Sequence, residues 1–319
     1  MLQIFQSHNG VLKESQVEFS GGINLKNCWV HLTNPTDKES ELIVRTTGIP
    51  EDMLKAALDE EERARIEYDD GCTLVLFDIP VIEEESSYFT YSTMPLAAIL
   101  TPDCFVTVCL KENSIIHQFI NGRIKNLDTA KRERFLYMLL YSTHTKFLQY
   151  LKQIDKSSQR IQRELHRSTK NKELIQLLDL ENSLVYFSTS LRANSIIIER
   201  LIRMDTKAVE EDSELLQDVA IENRQAIEMS NIFREILSGT MDAYASVISN
   251  NLNIVMKFLT TLTAILSIPT LIASLWGMNT GVPFQGKLWG FWVVIGISVV
   301  MTGISAFLLL RSKTFKSKK

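Results

Sequence analysis

The 319-residue sequence lacks the patterns on which most enzymatic sites depend. Its five histidines form no local metal-binding or catalytic-triad spacing, and no glycine-rich loop suited to a phosphate is present. The cysteines also lack paired metal-ligand spacing, so we expect buried, reduced thiols; they are Cys28, Cys72, Cys104 and Cys109. The opening residues contain neither a basic region nor a long apolar run, which predicts no signal peptide. These absences argue against an enzyme and a secreted protein.

Charge is missing from two long stretches, residues 258–276 and 288–310. As helices they would be roughly 28 and 35 Å long at about 1.5 Å per residue. A hydrocarbon core about 30 Å thick could therefore be crossed by either stretch. We predict two transmembrane helices; a buried core helix is the alternative for each.

Basic residues indicate the orientation of this hairpin. They flank both stretches on one side, at Lys257, Arg311, Lys313, Lys316, Lys318 and Lys319, whereas Lys287 stands alone between the stretches. By the positive-inside rule, both termini are predicted to be cytoplasmic in a multi-pass protein of the cell membrane. Trp276, Trp289 and Trp292 cluster around the connection, as expected at a lipid–water interface.

The residues before the hairpin are acidic and predict an α+β cytosolic domain. All 38 acidic residues lie at or before Asp242, which makes nucleic-acid binding improbable. Strand-like runs, at residues 27–32, 41–45, 73–77, 96–100 and 105–110, predict a mixed sheet with helices packed on it, among them a helix at residues 50–62. Apolar residues at intervals of three and four then predict two antiparallel helices.

A third long helix is predicted to run without interruption from Ser213 to Trp276, because no proline lies between Ser213 and Pro269. The predicted organisation is an α/β domain (1–128), a helical pair (129–211), a stalk helix (212–257), a first transmembrane helix (258–276), an outer loop (277–287), a second transmembrane helix (288–310) and a basic tail (311–319).

Four polar residues of the first uncharged stretch share one helical face. Thr263, Ser267, Thr270 and Ser274 recur at intervals of four, three and four. Such a stripe either packs against neighbouring helices, where hydroxyl residues are common, or lines water. The spacing alone leaves both interpretations open.

Further motifs show a resemblance to a known family. Gly277-Met278-Asn279 follows an aromatic residue and stands between the two uncharged stretches, of which the first contains a proline. Two N-terminal segments, Trp29 to Thr36 and Pro50 to Leu54, fit the same pattern. Over its whole length the chain resembles the CorA family of divalent-cation channels. The resemblance implies a funnel-shaped homopentamer in the lipid bilayer, with the long helix as its stalk.

The resemblance also implies the site. Gly277, Met278 and Asn279 would form a selectivity filter in which Asn279 holds a hydrated cation. Residues expected to line the pore are Asn253, Met256, Leu259, Thr260, Thr263, Ser267, Thr270 and Ser274, with Met256 at a hydrophobic constriction. The alternative for the tripeptide is a simple left-handed helix cap, which glycine and asparagine both favour.

Regulatory cation sites are implied between the cytosolic domains of neighbouring subunits. Asp52, with Glu51 beside it, and Asp242 match the family's acidic ligands, and Asp218 is a weaker candidate. The alternative for Asp52 is an acid in the first turn of a helix, where acids are favoured by the helix dipole. No catalytic cofactor is implied.

The transported ion is expected to be Mg²⁺, with Co²⁺ or Ni²⁺ as further substrates. Two departures from the family pattern are present. His31 replaces an aspartate, and the connection between the spans has no acid, whereas many magnesium-transporting members carry acids there. Because Gly281-Val282-Pro283 looks closer to the zinc-transporting branch, a Zn²⁺ transporter is the alternative. A non-conducting, membrane-anchored scaffold or regulator is the alternative of another class.

Overall fold

A computed structural model describes residues 1–8, 11–15, 25–85, 88–167, 171–204, 210–284 and 286–311. It divides into two compact units, Met1–Met241 and Asp242–Lys319. The predicted basic tail beyond Arg311 lies outside the described residues.

Seven strands of the first unit form one mixed sheet, as predicted. They are β1 (Leu2–His8), β2 (Val11–Ser15), β3 (Cys28–Thr33), β4 (Arg65–Asp69), β5 (Cys72–Glu85), β6 (Tyr88–Leu100) and β7 (Phe105–Cys109). Their order is β2-β1-β3-β7-β6-β5-β4, and every neighbouring pair is antiparallel except β3 and β7. The hairpin of β1 and β2 at one edge was not predicted from the sequence.

The helices are mostly long. They are α1 (Asp37–Thr47), α2 (Glu51–Lys55), α3 (Ser114–Ile120), α4 (Arg132–Arg167), α5 (Asn171–Met204), α6 (Glu210–Trp276) and α7 (Leu288–Arg311). The antiparallel arrangement predicted for α4 and α5 is confirmed: the rings of Phe147 and Phe187 lie 5.0 Å apart, and Tyr91 hydrogen-bonds Gln153 on α4 and Ser183 on α5. The long helix is also confirmed, and α6 begins three residues before the predicted Ser213.

The sheet is covered on both faces because its strands alternate large apolar side chains. Leu74 and Leu76 of β5 pack in a core with Ile43 of α1. Val75 and Phe77, which point to the other face, pack in a second core with residues of α3 to α6. The first unit is therefore a three-layer structure, with α1 and α2 on one side of the sheet and residues of α3 to α6 on the other.

Two local predictions were wrong. Residues 41–45 are helical rather than extended, since Thr36 and Glu39 form a reciprocal capping box and Gly48 ends α1 with a φ of 71°. The helix predicted for residues 50–62 stops early: α2 ends at Lys55 and a single 3-10 turn follows at Ala56–Leu58. The four cysteines are buried, as predicted, and no disulfide joins them to one another.

A chain of buried hydrogen bonds crosses the centre of the sheet. The Trp29 indole N–H donates to Thr107 Oγ1 over 2.8 Å, and the same oxygen lies 2.9 Å from His31 Nδ1. The other ring nitrogen of His31 lies 2.9 Å from Thr33 Oγ1. His31 is therefore a structural residue of the core, because it is buried and both of its ring nitrogens have hydroxyl partners.

Burial makes the first unit sensitive to acid. It lowers the pKa of His31 to about 4, helped by the nearby His117 and N-terminal amine, and it lowers the pKa of fully buried His144 to about 4 as well. The unfolded chain binds these protons below about pH 6.5. The stability that neutral histidine provides is thus complete above that pH and is lost as the pH falls towards 4, by about 1.4 kcal/mol per pH unit for each residue.

We therefore expect the unfolding free energy of the purified protein to fall between pH 6.5 and 5, as measured by urea denaturation followed by tryptophan fluorescence, to which the buried Trp29 of the first unit contributes. His144→Phe should reduce this slope, because the ring no longer titrates and its unpartnered Nε2 is removed. Tyr141→Phe, a change at an exposed residue of the same helix α4, is the control. Equal slopes in all three proteins would contradict the prediction.

Candidate functional site

The second unit contains the predicted hairpin. The C-terminal part of α6 and most of α7 are long and apolar enough to cross a membrane, and neither apolar segment is buried within the chain. Pro269 lies inside α6 without ending it. The exposed apolar side chains of one hairpin require a hydrocarbon environment, further helices, or both.

We use the name hydroxyl stripe for three residues of α6, Thr263, Ser267 and Thr270, which share one hydrogen-bonding pattern. Thr263 Oγ1, Ser267 Oγ and Thr270 Oγ1 each donate to the carbonyl four residues earlier, over 2.8 to 2.9 Å. Each hydroxyl proton is thus used within the helix. What the stripe presents outward is therefore oxygen lone pairs, which are hydrogen-bond acceptors.

The same face extends towards the N-terminal part of α6. Thr260 Oγ1 donates to the Met256 carbonyl over 2.8 Å, so it follows the same pattern. In the single chain all eight predicted lining residues are exposed: Asn253, Met256, Leu259, Thr260, Thr263, Ser267, Thr270 and Ser274. The structure leaves this face free of intrachain packing.

The Gly277-Met278-Asn279 turn follows directly after the last residue of α6. The Gly277 N–H donates to the Ala273 carbonyl over 2.9 Å, and a Cβ at this glycine would come within 3.1 Å of the same oxygen. Neither Gly277 nor Asn279 has a positive φ, so the left-handed cap considered as an alternative is not formed. Glycine is favoured here by the close approach of the helix carbonyl, and the Asn279 side chain is exposed.

The connection between the spans is held against the helix ends by contacts that the sequence did not reveal. The Trp276 indole N–H donates to the Pro283 carbonyl over 3.0 Å. Phe284 has a φ of 68° and packs against Trp289, with 4.8 Å between ring centroids. Gly290 lies beneath Phe284, where any Cβ would come within 2.8 Å of the Phe284 Cβ. The sequence signal that could have indicated this close packing is Gly290, a glycine near the start of the apolar helix α7.

The candidate regulatory acids are all exposed. Asp52 lies in the first turn of α2, and its neighbour Glu51 forms an ion pair with Lys55 over 2.6 Å. Asp218 and Asp242 lie on α6 and are exposed. Within the described part of the chain, no three histidine, cysteine or acidic side chains come together as a metal site.

The chain is similar over nearly its full length to known transport proteins. Residues 24–311 match the family model described as CorA-like Mg²⁺ transporter protein. The cobalt/magnesium transport protein CorA of Methanocaldococcus jannaschii is 27% identical over 315 residues, covering 95% of this chain and 96% of that protein. The cobalt/magnesium transport protein CorA of Thermotoga maritima is 22% identical over 290 residues, covering 89% and 81%.

The fold agrees with this result. The complete structure of the CorA magnesium transporter from Methanocaldococcus jannaschii superposes with a TM-score of 0.81 at 24% identity, covering 98% of each chain. The match includes the mixed sheet, the long helices and the C-terminal apolar hairpin. With a family model that spans all but the first 23 and last eight residues, the chain belongs to the CorA family.

Proposed function

We propose that this protein is a homo-oligomeric membrane channel for divalent cations, with Mg²⁺ as its principal substrate. One observation carries the proposal: the hydroxyl stripe of α6 presents acceptor oxygens along one face that ends at the Gly277-Met278-Asn279 turn. The names of the matched relatives, cobalt/magnesium transport proteins, support Mg²⁺ and Co²⁺ as substrates.

An acceptor surface suits a hydrated cation. Mg²⁺ releases its water ligands reluctantly, so a channel that conducts it quickly must accommodate several of those waters. Water bound to a cation points its hydrogens away from the ion and needs acceptors. Because Thr263, Ser267 and Thr270 have already donated their protons to the helix, their oxygens meet this need.

The turn after α6 is suited to act as the filter. Its amide oxygen at Asn279 is a neutral acceptor that can hold a cation's water without trapping the ion as a carboxylate might. The last carbonyls of α6 lack intrahelical partners and carry the negative end of the helix dipole, which favours a cation at this position. In this proposal Gly277, Met278 and Asn279 from each subunit form a ring at the outer mouth.

A closed path requires several copies of the chain, since one hairpin cannot surround water. We propose a homopentamer in which α6 lines the axis and α7 faces lipid, with both termini cytoplasmic and residues 277–287 outside. The eight lining residues named above would then face the pore. Met256, apolar and 52% exposed in the single chain, would form a constriction that gates by dewetting.

Cytosolic acids are proposed as the regulatory sensor. Asp52, Asp218 and Asp242 are exposed, and Glu51 is held beside Asp52 by Lys55. Like charges brought together between subunits repel each other unless a cation bridges them. Intracellular Mg²⁺ bound there would stabilise the closed assembly, and its loss would loosen the ring.

The test is cation flux into liposomes that contain the purified full-length protein. Uptake of Mg²⁺, Co²⁺, Ni²⁺ and Zn²⁺ is measured with fluorescent indicators, with and without a proton gradient, and protein-free liposomes are the control. We expect Mg²⁺ and Co²⁺ uptake without a proton gradient. Uptake of Zn²⁺ in place of Mg²⁺ would favour the alternative suggested by Gly281-Val282-Pro283, and no uptake of any ion would favour a scaffold.

A further inference from the structure

A cavity of about 310 Å³ lies at the loop end of the hairpin, within the second unit. It is formed by Ile272 and Trp276 of α6, Phe284 of the connection, and Val294 and Ile297 of α7, together with neighbouring apolar residues. We call it the hairpin groove. Its volume is at the lower end of the roughly 300–1,000 Å³ that ligand-binding clefts occupy.

The hairpin groove offers nothing for a polar occupant. Its described lining side chains are apolar apart from the indole N–H of Trp276, which already donates to the Pro283 carbonyl over 3.0 Å. Water placed there would find few hydrogen-bond partners, and a buried water needs two to four of them. The occupant must therefore be apolar.

The shape of the groove depends on an unusual backbone conformation. Phe284 has a φ of 68°, which is rare for a bulky residue, and its side chain lies over Gly290 where no Cβ would fit. Strain of this kind persists where the surrounding structure requires it, and it is concentrated at functional positions. Phe284 therefore forms a wall of the groove that a relaxed loop would not provide.

A cation stands beside the apolar groove. Lys287 is the sole charged residue between residues 258 and 310 of the sequence. Its ammonium nitrogen lies 5.7 Å from the centre of the Trp289 ring, and that ring packs on Phe284. Indole rings and lysine head groups are both favoured at the level of lipid head groups. The apolar groove and this cation are thus linked through the packed rings of Phe284 and Trp289.

We propose that the hairpin groove binds an anionic phospholipid from the leaflet on the loop side of the membrane. One acyl chain fills the groove, and the lipid phosphate lies near Lys287. The chain packs on Trp276, the residue immediately before the Gly277-Met278-Asn279 turn, and so supports the end of α6. This inference does not depend on which cation the protein conducts.

The experiment measures lipid retained by the full-length protein. Purified protein is incubated with mixed micelles containing equal amounts of phosphatidylglycerol and phosphatidylcholine, washed in detergent, and its bound lipid is quantified by mass spectrometry. We expect about one phosphatidylglycerol per protomer. Val294→Trp should abolish this retention by filling the groove, whereas Ile295→Trp, at the adjacent α7 residue outside the groove lining, should leave it unchanged.

Lys287→Gln leaves the groove intact and is the second variant. Because a lysine near an anionic surface is worth about fivefold in affinity, this change should lower the preference for phosphatidylglycerol over phosphatidylcholine by about fivefold. Equal retention by Val294→Trp and Ile295→Trp, an unchanged preference in Lys287→Gln, or no lipid in the parent protein would overturn the proposal. A Val294→Trp variant that loses subunits and keeps its lipid would assign the groove to a second copy of this chain instead.

Discussion

Replacing Asn279 by alanine is expected to reduce Mg²⁺ uptake into liposomes to the level of protein-free controls. In the proposed ring each Asn279 oxygen accepts a hydrogen bond from a cation-bound water, and a hydrogen bond to a charged group is worth about 1.5–3 kcal/mol. The loss of one such bond already corresponds to about tenfold or more in binding, and alanine removes one from every subunit. Initial uptake rates, measured at several Mg²⁺ concentrations, provide the test.

Asn251→Ala is the matched control for this experiment. It makes the same chemical change on α6, but Asn251 does not belong to the predicted lining face. It should transport normally, and both variants should elute at the size of the parent assembly because Asn251 and Asn279 are exposed in the chain. Normal uptake by a correctly assembled Asn279→Ala protein would refute the filter role of this residue.

Removing both Asp52 and Asp242 is expected to weaken the protection from proteolysis that Mg²⁺ confers on the assembly. If Mg²⁺ bridges acids of neighbouring subunits, the double alanine variant loses ligands from that bridge and should require at least about tenfold more Mg²⁺ for half-maximal protection, since each charge-assisted contact contributes about 1.5–3 kcal/mol. Limited proteolysis of purified protein across a Mg²⁺ titration measures this midpoint.

The control must remove the same charge from other exposed positions. Asp69→Ala with Asp103→Ala serves this purpose, because both carboxylates are exposed and neither belongs to the proposed sensor. The control should keep the parent midpoint, which separates loss of a specific ligand from a general change in net charge. If the two double variants shift equally or not at all, the sensor proposal fails, whereas the filter is tested separately by Asn279→Ala.

The sequence by itself determined the long helices, the apolar hairpin and the position of the tripeptide. Each of these depends on local information. The uncharged stretches are long enough to span a membrane, and the intervals of three and four define helix faces. Because no proline lies between Ser213 and Pro269, α6 can continue through that interval. The hydroxyl stripe follows from the same spacing, because helical periodicity fixes which residues share a face.

Only the tertiary structure decided which residues far apart in sequence meet. The parallel pairing of β3 with β7 joins Trp29 to Phe105 and His31 to Thr107, and no local pattern specifies that register. Residues 41–45 contain a short apolar run typical of a strand, yet the capping box and the helix-ending Gly48 make α1 helical. The hydrogen bond from Trp276 to the Pro283 carbonyl and the packing of Phe284 over Gly290 likewise could not be predicted from the sequence. Such contacts arise from packing in three dimensions rather than from the propensities of neighbouring residues.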